Sequence, residues 1–447
     1  FLGFQFTFIP MFRVGIQGMN RRIADYPAAY EDYNFFISMA AFFLGASFIF
    51  FTWNMAVSWL RGPVAATNPW RARTLEWQVS SPPPEHNFDE IPVVTDGPYG
   101  YGGAGGESGY VASDPLDPDV TFGGNYSGVL VMQNKRTGLG GRLDPWPLNP
   151  MGHDAQDSKY RFQWTFPIMN SPHDPKVLYA GANVLFRSTN LGQTWSIVSP
   201  DLTRHDPATL GASGGPLTKD QTSVEYYATI FAMAESPVTK GLVWSGSDDG
   251  LIYYSRSVGT GAGMPAWTNV TPKDLPKWTR ISIIEPSRFA PGTMYFAANR
   301  YEMDDFAPYL FVSTDFGVTF TSIAGNIPSG SVNVVREDPQ VKGLLYAGND
   351  FGAYVSKNAG KTWQVLGRGL PSVQVSDLQV HPRDHVIVIS TYGRGLWKLR
   401  LPIGPRCPFE ICQRFDPISL KVSQSAEESL AIWKGRKGAF GAVGRIS

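Results

Sequence analysis

The chain has 447 residues, with 38 basic and 38 acidic side chains, 43% hydrophobic and 17% charged residues. That length exceeds one ordinary domain, and a zero net charge supplies no clustered Lys and Arg to hold a phosphate backbone, so nucleic acid is excluded as an expected partner. Two cysteines, Cys407 and Cys412, exclude a disulfide scaffold and a cysteine-based metal cluster. The average hides two textures: 12 of the 28 Phe lie in the first 60 residues, whereas 47 Gly and 35 Pro favour turns over long helices in the remainder.

Residues 1–62 read as membrane helices, the first truncated. The opening run FLGFQFTFIPMF is too short to span a bilayer and starts without Met, as a fragment would. From Phe35 to Leu60 there are 26 residues without a charge. At 1.5 Å per residue that length crosses a hydrocarbon core of about 30 Å with some tilt. Glu31 and Asp32 close one end and Arg61 the other, and Trp59 and Trp70 suit the interface belt. Arg13, Arg21 and Arg22 before the helix balance Arg61, Arg71 and Arg73 after it, so the charge rule leaves orientation open.

The run FLGFQFTFIPMFRVGIQGMNRRIADYP, the spanning helix, and the tail NPWRARTLEWQVSSPPPEHNFDEIPVV resemble the carboxyl-terminal end of subunit I of haem-copper cytochrome c oxidases over residues 1–102. The resemblance implies a cytoplasmic side for everything after Leu60. It also implies that Arg21 and Arg22, in the family's GMxRR motif, pair with haem propionates; the alternative is two ordinary interfacial anchors. Phe12 stands where His is usual, and Asn20 where Pro is usual. Haem iron and copper in that family need histidine ligands, and no His precedes His86. Oxidase chemistry is therefore not expected from this chain alone, and no cofactor or metal is assigned.

Residues 63–108 read as an extended tail and linker, ending in the Gly- and Tyr-rich TDGPYGYGGAGGESGY. Beyond it, a unit recurs about six times: a Pro turn, an apolar strand, a second strand, and a hairpin. The opening prolines are Pro115, Pro172, Pro237, Pro286, Pro339 and Pro382, and the strands VTFGG, VLYAG, LVWSG, TMYFA, LLYAG and VIVIS follow them. A spacing of roughly 40 to 65 residues holds one four-stranded sheet, which predicts a mainly β fold, a β-propeller over residues 109–400.

Three hairpins share one pattern: Ser188, Asn190, Gly192 and Trp195; Ser313, Asp315, Gly317 and Phe320; Ser356, Asn358, Gly360 and Trp363. Asp or Asn accepts backbone N–H bonds within its own turn, Gly supplies positive φ, and the aromatic packs back on the blade. A fourth, degenerate copy runs from Ser255 to Trp267. These hairpins resemble Asp boxes of bacterial neuraminidase repeats, and the wider segment resembles glycosyl-hydrolase-like and sortilin-type Asp-box propellers. Stretches such as STNLGQTWSIVSPDLT, SGSDDGLIYYS and GNDFGAYVSKNAGKTW carry that resemblance. Members are usually longer at the amino end, so the resemblance leaves open whether the ring is complete. The boxes are expected to be structural.

Glycoside hydrolysis needs two carboxyl groups flanking the bond. The candidate acids are Glu225, beside Tyr226 and Tyr227, and Asp304 and Asp305, in a loop with Glu302 that also reads as solvated or as a cation site. Asp248-Asp249-Gly250 reads as a turn. Arg280, Arg300 and Arg394 are candidate carboxylate binders, but the Arg-Ile-Pro signature usual in sialidases is absent. Pro382 prevents a helix through His381 and His385, which argues against metal ligation there. Residues 401–447 show no sustained period and are expected to be irregular.

The expected function is recognition of a glycan or peptide by an Asp-box propeller, joined to an oxidase fragment that does not work alone. The alternatives are a membrane component of a haem-copper terminal oxidase, or a chimeric product of two gene pieces. Hydrolase activity rests on resemblance only. Expected partners are the bilayer, through residues 35–60, the glycan or peptide, and other oxidase elements should the fragment assemble. Localisation is membrane-anchored, with the propeller cytoplasmic by oxidase topology and exported by propeller family.

Overall fold

The computed structural model describes residues 1–19, 25–62, 80, 84–85, 105–106, 109–214, 219–220, 226–401, 415–417 and 444–445. The chain divides into two compact units, Phe1–Gly102 with Ser213–Asp220, and Gly103–Ala212 with Gln221–Ser447. Arg21, Arg22, Asn20, Trp70 and Glu225 lie outside the described residues.

In the first unit, helices α1 (Leu2–Ile16) and α2 (Glu31–Arg61) pack side by side. Their approach is close because Gly3 has no side chain: a Cβ there would sit 3.0 Å from the Leu44 Cα. Phe6 meets Phe36 edge-on, and Tyr30 donates to the Gln17 carbonyl at 2.7 Å. Asp32 and Glu31 occupy the first turn of α2 and Arg61 the last, in the sense the helix dipole favours. Much of the remainder of α2 is bare: Ile37 and Ala40 are buried, but Phe42, Phe50, Trp53 and Trp59 are exposed, Trp59 at 91%. Ala28–Arg61 is long and apolar enough to cross a membrane, with mean hydropathy 2.1 in its best window.

The second unit is a six-bladed β-propeller, each blade an antiparallel sheet whose four strands follow chain order. Blade 1 is Tyr110–Ser113, Val120–Gly124, Leu130–Asn134 and Gly140–Arg142. Blade 2 is Ile168–Asn170, Leu178–Gly181, Leu185–Ser188 and Ser196–Ile197. Blade 3 is Ile230–Glu235, Val243–Ser247, Ile252–Ser255 and Thr268–Asn269. Blade 4 is Arg280–Pro286, Met294–Arg300, Asp305–Ser313 and Thr321–Ser322. Blade 5 is Val332–Glu337, Leu345–Asn349, Gly352–Ser356 and Gln364–Val365. Blade 6 is Val375–His381, Val386–Thr391, Gly395–Arg400 and Asp416–Pro417. The sequence repeat is out of phase with the blade, because each Pro turn joins the first strand to the second.

First strands neighbour first strands from blade 1 to blade 2 and from blade 3 through blade 6, while the first strand of blade 3 meets the second strand of blade 2. Gly444–Arg445 pairs antiparallel with Tyr110–Val111 of blade 1 and also neighbours the first strand of blade 6. Two described pieces of the stretch expected to be irregular are thus strands, and Phe415 is buried beside one of them. The apolar cores lie between blades. One joins Phe122 and Leu130 of blade 1 to Phe166, Leu178 and Phe186 at blade 2. Others repeat this at the next seams, as Trp244 with Phe296 and Val334 with Ile389.

In blades 3 to 6 the first strand carries a register shift at one matching point, between Ile230 and Ala232, Ile281 and Ile283, Val332 and Val334, and Val375 and Asp377. In blades 4 and 5 the extra residue bonds the next blade: Ser282 donates to the Val332 carbonyl at 3.1 Å and Asn333 to the Val375 carbonyl at 3.2 Å.

The three sharp hairpins share one geometry. Asn190 Oδ1 accepts from the Ser188 hydroxyl and the Thr194 N–H, while Ser188 Oγ accepts from the Gly192 N–H. Asp315 and Asn358 repeat the set. The fourth and fifth residues both take positive φ, Leu191 and Gly192, Phe316 and Gly317, Ala359 and Gly360. Each glycine lies against the preceding blade, where a Cβ would meet Leu143, Val270 or Ile323. The closing tryptophans reach the same residues: Trp195 Nε1 donates to the Leu143 carbonyl at 2.8 Å and Trp363 Nε1 to the Ile323 carbonyl at 2.7 Å. Trp267, in the degenerate copy, likewise donates to the Val198 carbonyl. Phe320 packs edge-on against Phe296 and has no N–H to donate.

Candidate ligand-binding face

Antiparallel order puts the Pro turns and box hairpins on one face of the ring. The second-to-third strand turns and the loops between blades lie on the other, here called the loop face. Loops carry binding residues on rigid scaffolds, and the loop face gathers the polar clusters around blades 2 to 4.

The foundation is buried. Arg161, from the loop entering blade 2, donates through Nε to the Ala228 carbonyl at 3.1 Å and through Nη2 to Asp201 at 2.8 Å. Asn183, Thr203 and His205 also bond Asp201. Burial opposes its ionisation, but these four partners prevail and hold its carboxyl down at about 2. Arg204 carries the network into blade 3: its N–H donates to Asp249 Oδ2 at 2.8 Å and its Nε to the Asp249 carbonyl. Asp248 accepts from both the Thr229 N–H and hydroxyl. Burial, then the neighbouring Asp249 charge, push the Asp248 carboxyl up to about 7, and burial likewise raises Asp249.

Above this lies an aromatic and basic surface. The Arg204 guanidinium stacks over the Trp278 ring at 5.5 Å, and Tyr227 lies 6.2 Å from the same ring. Trp278 holds φ at +63°, a left-handed backbone that bulky residues rarely adopt. Arg280 lies between Phe231 and Tyr301, at 5.0 and 5.2 Å, donates to the Tyr301 hydroxyl and pairs with Glu302. Its Nε is buried without a hydrogen-bond partner. Tyr227, Trp278, Arg204 and Arg280 are half-buried and Tyr301 is exposed, so rings and guanidinium edges are presented together.

The sequence candidates are distributed as follows. Asp248-Asp249-Gly250 is the turn between the second and third strands of blade 3, and both carboxylates are nearly inaccessible, at 2% and 1% exposure. Asp305 is tied to Arg300 at 2.9 Å and to Tyr309 at 2.7 Å, bonds that hold its carboxyl below the usual range. Asp304 forms the left-handed tip of that turn. Arg280 and Arg300 come to the same end of blade 4, each already paired with an acid, whereas Arg394 lies in the corresponding turn of blade 6. Among the described residues no group of three or more His, Cys, Asp or Glu is placed to hold a metal. Reading the sequence alone missed Arg204, Trp278 and Tyr301; the available signal was the recurrence of aromatic-basic pairs, Trp278 with Arg280 and Arg300 with Tyr301, in blade-entry and turn positions.

The fold class is therefore a six-bladed propeller with a two-helix apolar unit. No family model matches the chain. Over 102 residues it is 48% identical to cytochrome c oxidase subunit 1 of Synechocystis sp. (strain ATCC 27184 / PCC 6803 / Kazusa), a match covering 23% of this chain and 18% of that protein. The chain thus spans under a fifth of the length of that curated relative. Among solved structures, an ancestral GH74 enzyme is similar at 16% identity and TM-score 0.50, covering 71% of this chain and 39% of that one. The GH74 xyloglucanase from Xanthomonas campestris is similar at 18% identity and TM-score 0.45, covering 68% and 46%. The likeness to the ancestral GH74 enzyme concerns the fold alone.

Proposed function

We propose that the propeller is a recognition module, of the Asp-box glycosyl-hydrolase-like or sortilin-like kind, held at a membrane by α2. It binds a glycan or peptide through the loop face. The observation that carries this reading is the Trp278 cluster, where strained backbone presents an indole, two phenols and two guanidinium groups together. Aromatic faces stack on sugar rings or apolar side chains, and Arg204 has guanidinium donors left for hydroxyl or carboxylate oxygens. Binding is favoured over hydrolysis because Asp248 and Asp249 are buried, and Asp305 and Glu302 are engaged by arginines. Neither pair is available to flank a glycosidic bond.

The test is glycan and peptide array binding by the full chain in detergent. Trp278→Ala and Arg204→Ala should each weaken the recognised ligand at least about tenfold, as loss of a stacking or charge-assisted contact does. A folded chain that binds nothing on either array would sink the reading. For the first segment, the oxidase-like sequence supports a second reading, assembly of residues 1–102 with other oxidase elements. Haem absorbance co-purifying with the chain from an oxidase-containing membrane would favour it, and a blank spectrum would leave the segment as an anchor.

A further inference from the structure

The opposite face of the ring, formed by the Pro turns and the hairpins, takes no part in the ligand reading and is built as one connected surface. In blades 2 to 5 each hairpin bonds back to the Pro turn of its own blade: the Leu191, Val258, Phe316 and Ala359 N–H groups donate to the Lys176, Gly241, Gly292 and Gly343 carbonyls. Turns of adjacent blades are bonded as well, His173 to the Ser236 carbonyl at 2.8 Å, Ser287 to Glu337, and Gln340 to the Pro382 carbonyl at 3.2 Å. Side chains set on such a frame meet a partner at little ordering cost.

What this surface presents repeats from blade to blade. The turn of blade 3 offers Val238 with Lys240, that of blade 4 Arg288 with Phe289, and that of blade 5 Val341 with Lys342, all exposed. On the hairpins, Val318 of blade 4 is exposed at 79%, and Lys361 of blade 5 is exposed too. Lys240, Lys342 and Lys361 have no acidic partner among the described residues. The acids of the same turns are withdrawn: Glu337 accepts from the Tyr295 hydroxyl, Asp338 from the Tyr346 hydroxyl and Glu235 from the Gly241 N–H, and all three are buried. Asp315 is half-buried with both oxygens bonded to Thr319. Blade 1 surrounds Arg136 with Asp117 and Asp119, and blade 6 pairs Arg383 with Asp384, so the basic excess belongs to blades 3 to 5.

An apolar tip beside a cation, repeated over three blades, fits an anionic lipid surface. Short apolar side chains enter the headgroup boundary while ammonium and guanidinium groups stay among the phosphates. A second copy of the chain would set lysine against lysine. A single-stranded RNA would find phosphate partners, but among these side chains only Phe289 has a ring on which to stack a base. We propose that the turn face of blades 3 to 5 docks on an anionic bilayer, which leaves the loop face in solution for its ligand. The docking rests on the reading that α2 anchors the chain: a tethered propeller meets the bilayer at high effective concentration and docks through contacts that are weak one by one.

The experiment uses the full chain with Cys407→Ser and Cys412→Ser, reconstituted in nanodiscs of phosphatidylcholine with or without phosphatidylserine. A single new cysteine carries an environment-sensitive NBD fluorophore. At Val341→Cys the emission should move to the blue in discs with phosphatidylserine and be quenched at least about twofold by nitroxide-labelled lipid, with weaker quenching in phosphatidylcholine alone. The same label at Tyr392→Cys, on the loop face, should not respond. Adding Lys240→Glu, Lys342→Glu and Lys361→Glu, all exposed changes, should bring the quenching at position 341 down to the level at position 392 while the melting curve is retained. The proposal is overturned if position 341 is not quenched, if position 392 is quenched equally, or if the triple variant behaves as the parent. It is also overturned if polyuridylate at equal phosphate abolishes the quenching. Elution of the chain apart from the discs sinks the anchoring and the docking together, whereas elution with the discs and an unquenched label sinks the docking alone.

Discussion

The box residues show how much geometry a few atoms can hold. In Ser313 to Phe320, Asp315 accepts from the Ser313 hydroxyl and from the Thr319 N–H and hydroxyl, which together hold its carboxyl down at about 2. Because its folded pKa lies below the usual value near 4, its contribution is complete above that value and is lost as pH falls through about 2. Asp315→Ala should therefore lower the melting temperature at neutral pH and narrow that deficit in strong acid, with array binding unchanged. Gly360 is stricter: φ is +86° and a Cβ would stand 2.6 Å from Ile323 Cβ. Gly360→Ala should cost roughly 2–4 kcal/mol in denaturant unfolding, combining left-handed strain with overpacking. Asp248 has the opposite sign from Asp315. Burial and Asp249 raise its carboxyl to about 7, so its contribution to stability falls as pH rises from about 4 toward 7. Asp248→Asn should flatten that part of the pH–stability curve, and an unchanged slope would show that the buried aspartate is not its source. The turn and the three hairpins were legible because each is a local pattern. The orientation of Trp278 was not, since a tryptophan with positive φ has no sequence signature.

At the scale of the blade, one motif performs two tasks. The hairpin closes its own sheet, and its indole and glycine fasten that sheet to the preceding blade. Trp363→Phe should cost about 1–3 kcal/mol, the penalty for leaving the Ile323 carbonyl without its donor. Blade 4 provides the converse, because Phe320 cannot donate and Val270 lies where its neighbours' acceptors lie. Phe320→Trp should raise the melting temperature if its indole reaches the Val270 carbonyl; a lowered value would mean that the seam is already filled by Phe296 and Phe311. The strands were legible from alternation and the prolines from their spacing. The phase of the repeat was not, because the first strand of each blade belongs in sequence to the unit before it. The register shift in the first strands was equally hidden, since Phe231, Ser282, Asn333 and Ser376 have no one residue type common to all four.

The whole ring is tied by charge as well as by packing. Arg336 of blade 5 is buried and reaches Glu285 of blade 4 at 3.1 Å, Asp377 of blade 6 at 3.0 Å and the Leu378 carbonyl at 2.9 Å. Burial raises the Glu285 carboxyl even beside this partner. Arg336→Ala should cost about 3–5 kcal/mol, because it strands two acids in the interior. The deficit should shrink as pH falls and those acids take up protons. A mild, pH-independent loss would show that the triad is not a tie between blades. Nothing in the sequence announced it: its members are separated by 51 and 41 positions, and each sits in an ordinary strand.

Both open edges of this ring are met by residues beyond 401: Asp416–Pro417 adds the outer strand of blade 6, and Gly444–Arg445 pairs beside the inner strand of blade 1. A ribosome making this chain thus delivers these two strands only after residues 109–400 have emerged. Quality control during synthesis would meet a ring whose seams are formed but whose two edges are still adhesive. A message truncated ahead of those strands would yield a product prone to clumping.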